Sequence, residues 1–283
     1  MDNIVFDTEG DGFYFETTKL WTIHVSNMTT RKRMVVHPFE DSEAKERFLN
    51  FIFKNGKPRI IGHNILGHDM PVLRKLLGID FSVGKDTVDG RDVEFVDTFF
   101  MSMFLNPDRE GHSIGYFGEE LGLNKIDYRQ ALIDIGAMTK EHPKGHEFSF
   151  YHELMDEYCL RDTEVTWKVF TMLMDEWKDV YGKDFDNPDC YKCGQKTFFL
   201  MTCQELTGWK FDIERAKSLH SKISGMMEDI RAEVEPQLPP RALKKSEESQ
   251  YRVPAKPYKA DGTLSSTMLK FIERHNAEVV RIS

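Results

Sequence analysis

Cysteine is scarce in this sequence: 4 in 283 residues, at no regular spacing. That excludes a disulfide-built scaffold and fits a reducing compartment, so a cytoplasmic location is expected. Long apolar runs are also missing. The most apolar tract, residues 95–105, is interrupted by Asp97 and falls short of the ~18 uncharged residues that a membrane span needs. The opening MDNIVFDTEG lacks the basic-then-apolar order of a signal peptide. No G-x-G-x-x-G follows the first apolar run, and EGDG there puts carboxylates where a phosphate would need amide donors. A dinucleotide-binding fold is excluded on that ground. No internal repeat is visible.

What the sequence does hold is a core. It is 40% hydrophobic, 30% charged and 12% aromatic, which describes a globular chain of one large domain or one plus an appendage. The net charge of -9 is unevenly spread. Residues 191–283 carry 16 basic against 12 acidic side chains, and residues 1–190 carry 22 against 35. An acidic front with a mildly basic rear suits a cation-holding site followed by a segment that tolerates phosphates; two solvated surfaces would look the same.

NIVFDTEGDG, an apolar run ending in acids and glycine, reads as a buried strand leaving a sheet. Residues 20–26 and 33–39 are β-rich runs joined by the polar MTTRKR, a hairpin pattern. Residues 41–55 form an amphipathic helix with Asp41 or Ser42 as its cap. Residues 58–64 read as a second buried strand, and residues 70–78 as a helix with Pro71 at its start and Gly78 at its end. VEFVDTFF reads as another strand, and residues 149–180 as a long helix. Strands alternating with helices after an opening meander predict an α/β fold. The turn-rich residues 182–195 read as a junction between a domain at 1–181 and a mainly helical segment at 196–283, in which Asp212 caps a long helix. Five prolines among lysines and arginines make residues 236–262 a loop or arm.

Three pieces carry chemistry. Asp7 and Glu9 are two apart on a strand and project to one face, a costly pairing unless a cation sits between them; a solvated loop past the strand end is the alternative. Asn64 ends the second strand, and Asp69 lies at the mouth of the next helix, where aspartate also serves as a cap. Tyr158 and Asp162 are four apart in the long helix and share its inward face, where an aspartate is expensive unless paired or metal-bound.

D-x-E on a strand, then N-x4-D, then Y-x3-D, in this order, resemble the three exonuclease motifs of the DEDD nuclease superfamily. Tyrosine four residues before the last aspartate resembles its tyrosine branch. IGHNILGHDMPVL, the Asp97–Thr98 pair and HSIGYFGEELGL look like the proofreading domain of bacteriophage family A DNA polymerases. CQELTGWKFD and, more weakly, TLSSTMLKFIE are similar to the opening of the polymerase region in that family. The likeness runs strongly to about residue 171 and more thinly beyond. Nothing resembling the palm carboxylates or the fingers follows, so the resemblance implies a fragment, or one half of a polymerase split between two polypeptides.

The resemblance implies a ribonuclease H-like fold, a mixed central sheet flanked by helices, with a mainly helical C-terminal extension. It implies a 3'→5' exonuclease that releases nucleoside 5'-monophosphates. Asp7, Glu9, Asp69 and Asp162 would hold two Mg²⁺ ions, with Mn²⁺ able to substitute, since oxygen-only ligands favour hard cations. Tyr158 would orient the attacking water. Asn64 and Thr8 are expected to touch the substrate strand and Asp97 to support the metal ligands from behind. Lys244, Lys245 and Arg252 in the basic loop are candidate DNA contacts. The expected partners are single-stranded or frayed DNA 3' ends and a separate polymerase subunit acting in trans. A free-standing DNA or RNA exonuclease and a non-catalytic assembly subunit are the alternatives. Phe13, Tyr14, Phe15 and Trp21 lie beside the first motif as candidate base-stacking rings. Cys190 and Cys193 form a lone C-x2-C without a clear fourth ligand, so no zinc site is expected there.

Overall fold

The structure is a computed structural model. It describes residues 1–238, 252–259 and 261–275. The strand β1 (Asp2–Gly10) is flanked by β2 (Leu20–Asn27), and β3 (Lys32–Val36) follows as the second arm of the expected hairpin. Both pairings are antiparallel. β4 (Pro58–Gly62) joins the other side of β1 in parallel. Between them the chain crosses over through α1 (Ala44–Ile52). α2 (Asp69–Leu77) then leads into a small antiparallel sheet of β5 (Phe81–Ser82), β6 (Thr87–Val88) and β7 (Arg91–Asp92). β8 (Glu94–Asp97) closes the main sheet, parallel to β4. The order is β3-β2-β1-β4-β8, with the first strand of the chain at the centre. Three antiparallel strands continued by two parallel ones make the ribonuclease H-like fold.

Strand alternation divides the core in two. Ile4 and Phe6 of β1 and Ile60 of β4 face Phe48 and Ile52 of α1 and Leu73 of α2. Val5, Ile61 and Val96 face the other way, toward Val165, Val169 and Leu173 of α6 (Leu154–Tyr181). Continuing that alternation past Val5 aims Asp7 and Glu9 at α6. The sheet therefore directs the first motif toward the helix that carries the third.

Three differences from the sequence reading have local causes. VEFVDTFF is not one strand: β8 stops at Asp97, whose carboxylate accepts from the Phe99 and Phe100 amides and so starts α3 (Thr98–Leu105). A continuous apolar run has no period with which to separate strand from helix. Asp41 does not cap α1, which begins after Glu43; its carboxylate instead accepts from the Glu43 amide one turn earlier. The long helix starts at Leu154, after a 3-10 turn at His146–Phe148. Between α3 and α6 lie the short helices α4 (Ile114–Glu120) and α5 (Tyr128–Asp134).

α7 (Asp189–Thr207) covers the outer edge of β8. Gln195 Nε2 donates to the Phe95 carbonyl at 3.1 Å, and Gln195 Oε1 accepts the Asp97 amide at 3.0 Å. Tyr191, fully buried, donates to Gln195 Oε1 at 3.1 Å. One glutamine thus takes the place of a missing neighbouring strand. The compact unit that contains the sheet runs from Met1 to Trp209, and so includes α7.

The second unit, Lys210–Ser283, holds α8 (Ile213–Val234), capped by Asp212 through the Arg215 amide, and α9 (Ser266–His275). Arg252 is exposed in this unit, while Lys244 and Lys245 lie outside the described residues. Among the described residues no helix is long and apolar enough to cross a membrane.

Candidate metal centre

Asp7 and Glu9 end β1 with their carboxyls directed toward α6, and both keep part of their surface open to solvent. Ligand oxygens of the two lie within 4.8 Å of each other. Burial, and then the negative charge of Asp162, pushes Glu9 up to about 8. Burial, followed by the charges of Asp69, Glu9 and Asp162, pushes Asp7 well above the usual carboxylate range.

Asp69 arrives by a tight turn that the sequence builds into IIGHNILGHD. A Cβ on Gly62 would collide with the Ile65 side chain, and one on Gly67 with the Asn64 amide. Asn64 itself takes a left-handed φ of 60°, which asparagine tolerates better than most residues. Behind this turn Asp97 is fully buried and accepts four backbone amides: Asn64 at 2.9 Å, Leu66 at 3.1 Å, Phe99 at 3.0 Å and Phe100 at 3.3 Å. Asp97 both caps α3 and braces the loop that delivers Asp69. Asp69 is not a helix cap. The cap position belongs to His68, and the Asp69 carboxylate accepts the Thr8 hydroxyl at 2.7 Å. Thr8, expected at the substrate, is buried and gives its hydroxyl to Asp69.

α6 contributes the rest. Asp162 is buried, with Oδ2 2.6 Å from the Lys125 ammonium and Oδ1 without a hydrogen-bond partner. Burial raises its pKa and Lys125 pulls against that rise. The Tyr158 hydroxyl accepts from Lys125 Nζ at 3.0 Å. Its ring packs beside Tyr128 and Phe148, with centroids 5.6 and 6.3 Å away. Burial, and then the charges of Asp162 and Glu9, holds the phenol above its ordinary value, so Tyr158 stays protonated and can only donate or position.

Lys125 escaped the sequence reading. It lies between α4 and α5 in LGLNKID, where nothing in spacing or composition distinguishes it. Burial opposes its charge, but Asp162 and Tyr158 raise its pKa, so it is a permanent cation inside an acidic group.

The fold therefore assembles Asp7, Glu9, Asp69, Tyr158 and Asp162, with Asn64 in the adjoining loop and Asp97 and Thr8 behind. Four carboxylates face one ammonium, burial weakens the acidity of all four, neighbouring carboxylate charges add to that for Asp7, Glu9 and Asp162, and one buried carboxylate oxygen is unpartnered. Such a donor set fits a hard divalent cation, which would relieve the repulsion and partner the orphan oxygen. The exposed Cys190 and Cys193 lie elsewhere, on α7.

The chain is similar to NrnC of Brucella melitensis. The identity is 15% over 75% of this chain and 89% of that chain, with a TM-score of 0.48. An NrnC structure with bound pGG gives 14% over 75% and 89%, with a TM-score of 0.47. One with bound Mg²⁺ gives 14% over 75% and 90%, with a TM-score of 0.45. No protein-family model and no curated protein matches the chain.

Beside the carboxylates, the chain after β1 forms an organised loop. Asp11 accepts from the Thr18 and Lys19 amides at 2.7 and 2.9 Å and from the Thr17 hydroxyl at 2.9 Å. Lys75 Nζ ties the far side through the Tyr14 and Thr17 carbonyls at 2.5 and 2.8 Å. The loop leaves Phe13 and Phe15 exposed four and six residues past Glu9. Trp21 is no such platform: it is buried and its indole N–H is spent on the Phe148 carbonyl at 2.8 Å.

Proposed function

We propose that this chain is a metal-dependent 3'→5' exonuclease that hydrolyses DNA from its 3' end, proofreading for a phage-type replicative polymerase. The observation that carries the reading is the meeting of Asp7, Glu9, Asp69 and Asp162 around a protonated Tyr158, with one buried Asp162 oxygen left unpartnered. In this reading the four carboxylates hold two Mg²⁺ ions, or Mn²⁺. Held there, such cations would supply charge to offset the phosphodiester and would lower the pKa of a water at the site.

The chain's own groups do the remaining work. Tyr158 holds the attacking water through its hydroxyl, and Lys125 keeps that hydroxyl and Asp162 in place. Thr8 and Asp97 hold Asp69 to its position, and Asn64 meets the strand. Phe13 and Phe15 offer faces on which unpaired bases stack, which favours a single-stranded or frayed end. Lys244, Lys245 and Arg252 follow the phosphates of the strand. A polymerase subunit carrying palm and fingers is the partner, a reading supported by the resemblance of residues 203–212 and 263–273 to the start of a polymerase region.

The test uses the full chain, a 5'-labelled single-stranded oligonucleotide and Mg²⁺. A ladder that shortens from the 3' end is expected, and is expected to vanish with EDTA and in Asp7→Ala and Asp162→Ala. An intact oligonucleotide under both Mg²⁺ and Mn²⁺ would sink the proposal.

A further inference from the structure

Cys159 follows Tyr158 on α6 and is completely buried. Its Sγ faces the end of β1, 3.3 Å from the Asp7 carbonyl oxygen and 3.5 Å from Asp7 Oδ2. Ligand atoms of Asp7, Glu9 and Cys159 all lie within 4.8 Å of one another, the one such group of three among the described residues. Bonds of about 2.3 Å to sulfur and about 2.0–2.2 Å to oxygen, opened to a tetrahedral angle, set the two donors about 3.5 Å apart. That is the separation found between Cys159 Sγ and Asp7 Oδ2.

A second buried donor without a partner is near this group. Asp162, three residues on and so on the same side of α6, is only 5% exposed. Its Oδ1 is buried without a partner, and its charge is felt by both Asp7 and Glu9. One sulfur and two carboxylates form a donor set with a preference that oxygen alone would not have. Thiolate selects soft or borderline cations such as Zn²⁺ and Cd²⁺, whereas Mg²⁺ takes oxygen.

We propose that Asp7, Glu9 and Cys159 form a binding site for one thiophilic divalent cation of the Zn²⁺ or Cd²⁺ class. Binding forms a metal–sulfur bond and releases the thiol proton to the buffer, with no change of oxidation state. Because that cation uses Asp7 and Glu9, it excludes the hard ions and switches the centre off. The inhibition rests on the nuclease reading above; the binding does not.

The test is a titration of the metal-free full chain with Cd²⁺, followed by the thiolate-to-cadmium charge-transfer band in the ultraviolet. A band that saturates at one ion per chain is expected. It should be lost in Cys159→Ser and kept when Cys190, Cys193 and Cys203 are all changed to serine. That triple variant decides even if Cys159→Ser fails to fold, because Cys159 is then the one thiol left. No band in the triple variant, or a full band in folded Cys159→Ser, overturns the proposal. Glu9→Gln should weaken Cd²⁺ binding by at least roughly tenfold. Hydrolysis with Mg²⁺ is measured on portions of the same preparations to which no Cd²⁺ has been added. Hydrolysis without the band overturns the thiophilic site alone, and the band without hydrolysis overturns the nuclease reading alone.

Discussion

Glu9 has an ordinary value of 4.5 and stands at about 8 here, with burial the first cause and Asp162 the second. A carboxyl whose pKa is raised by folding binds its proton more tightly in the folded chain. Its contribution to stability is fully present below about 4.5 and is lost as pH rises through about 8. Asp7, Asp69 and Asp162 are shifted in the same direction. In EDTA the melting temperature should therefore fall from pH 5 to pH 8, and Mg²⁺ should restore it most at the alkaline end. Glu9→Gln should flatten the decline in EDTA. Calorimetry over that window checks the prediction, and a melting temperature that climbs with pH in EDTA would contradict it. Asp7 and Glu9 were legible in the sequence because strand geometry alone puts i and i+2 on one face. Lys125 was not, because a lysine's partner 37 residues away leaves no mark on its neighbours.

The second motif depends on elements it does not touch in sequence. The loop holding Asn64 and Asp69 is braced by Asp97, and Asp97 is held in turn by Gln195 of α7. Gln195→Ala would leave the Asp97 amide and the Phe95 carbonyl unpaired in a buried position. An unmade buried hydrogen bond costs about 1–3 kcal/mol. Urea denaturation should show a loss of that order, and a change within about 0.5 kcal/mol, typical of an exposed site, would contradict it. The strands of the main sheet and the first two helices were legible from alternation, the apolar stripe of α1 and the glycine stop of α2, although neither helix has a side-chain cap. The join between β8 and α3 was not, since VDTFF is apolar on both sides of the capping aspartate. β5 to β7 are two residues each, too short to show a period.

Across the whole chain, α7 belongs with the sheet although residues 182–195 read as a junction. Tyr191 is packed among Phe100, Phe104, Trp177 and Phe185, with ring centroids between 5.1 and 6.1 Å. A chain ending at residue 209 should melt in one cooperative transition. A chain ending at 187 would expose this aromatic seam and the edge of β8, and should melt lower and aggregate. Equal melting temperatures for the two would show that α7 adds nothing to the unit. The turn residues before α7 are real, but a turn marks a change of chain direction and says nothing about what the next helix packs against.

The sequence by itself determined the local geometry of the centre. Two carboxylates on one strand face, a tyrosine and an aspartate one helical turn apart, and a glycine-permitted turn before Asp69 all follow from periods of two and 3.6 residues and from backbone sterics. Only the tertiary structure decided which groups meet: Lys125 with Asp162 and Tyr158, Thr8 with Asp69, Cys159 with Asp7, and Gln195 with the edge of β8. These contacts join residues 33 to 152 positions apart. They depend on how α6, α7 and the loops settle on the sheet, and packing of that kind is set by shape and burial rather than by any repeat along the chain.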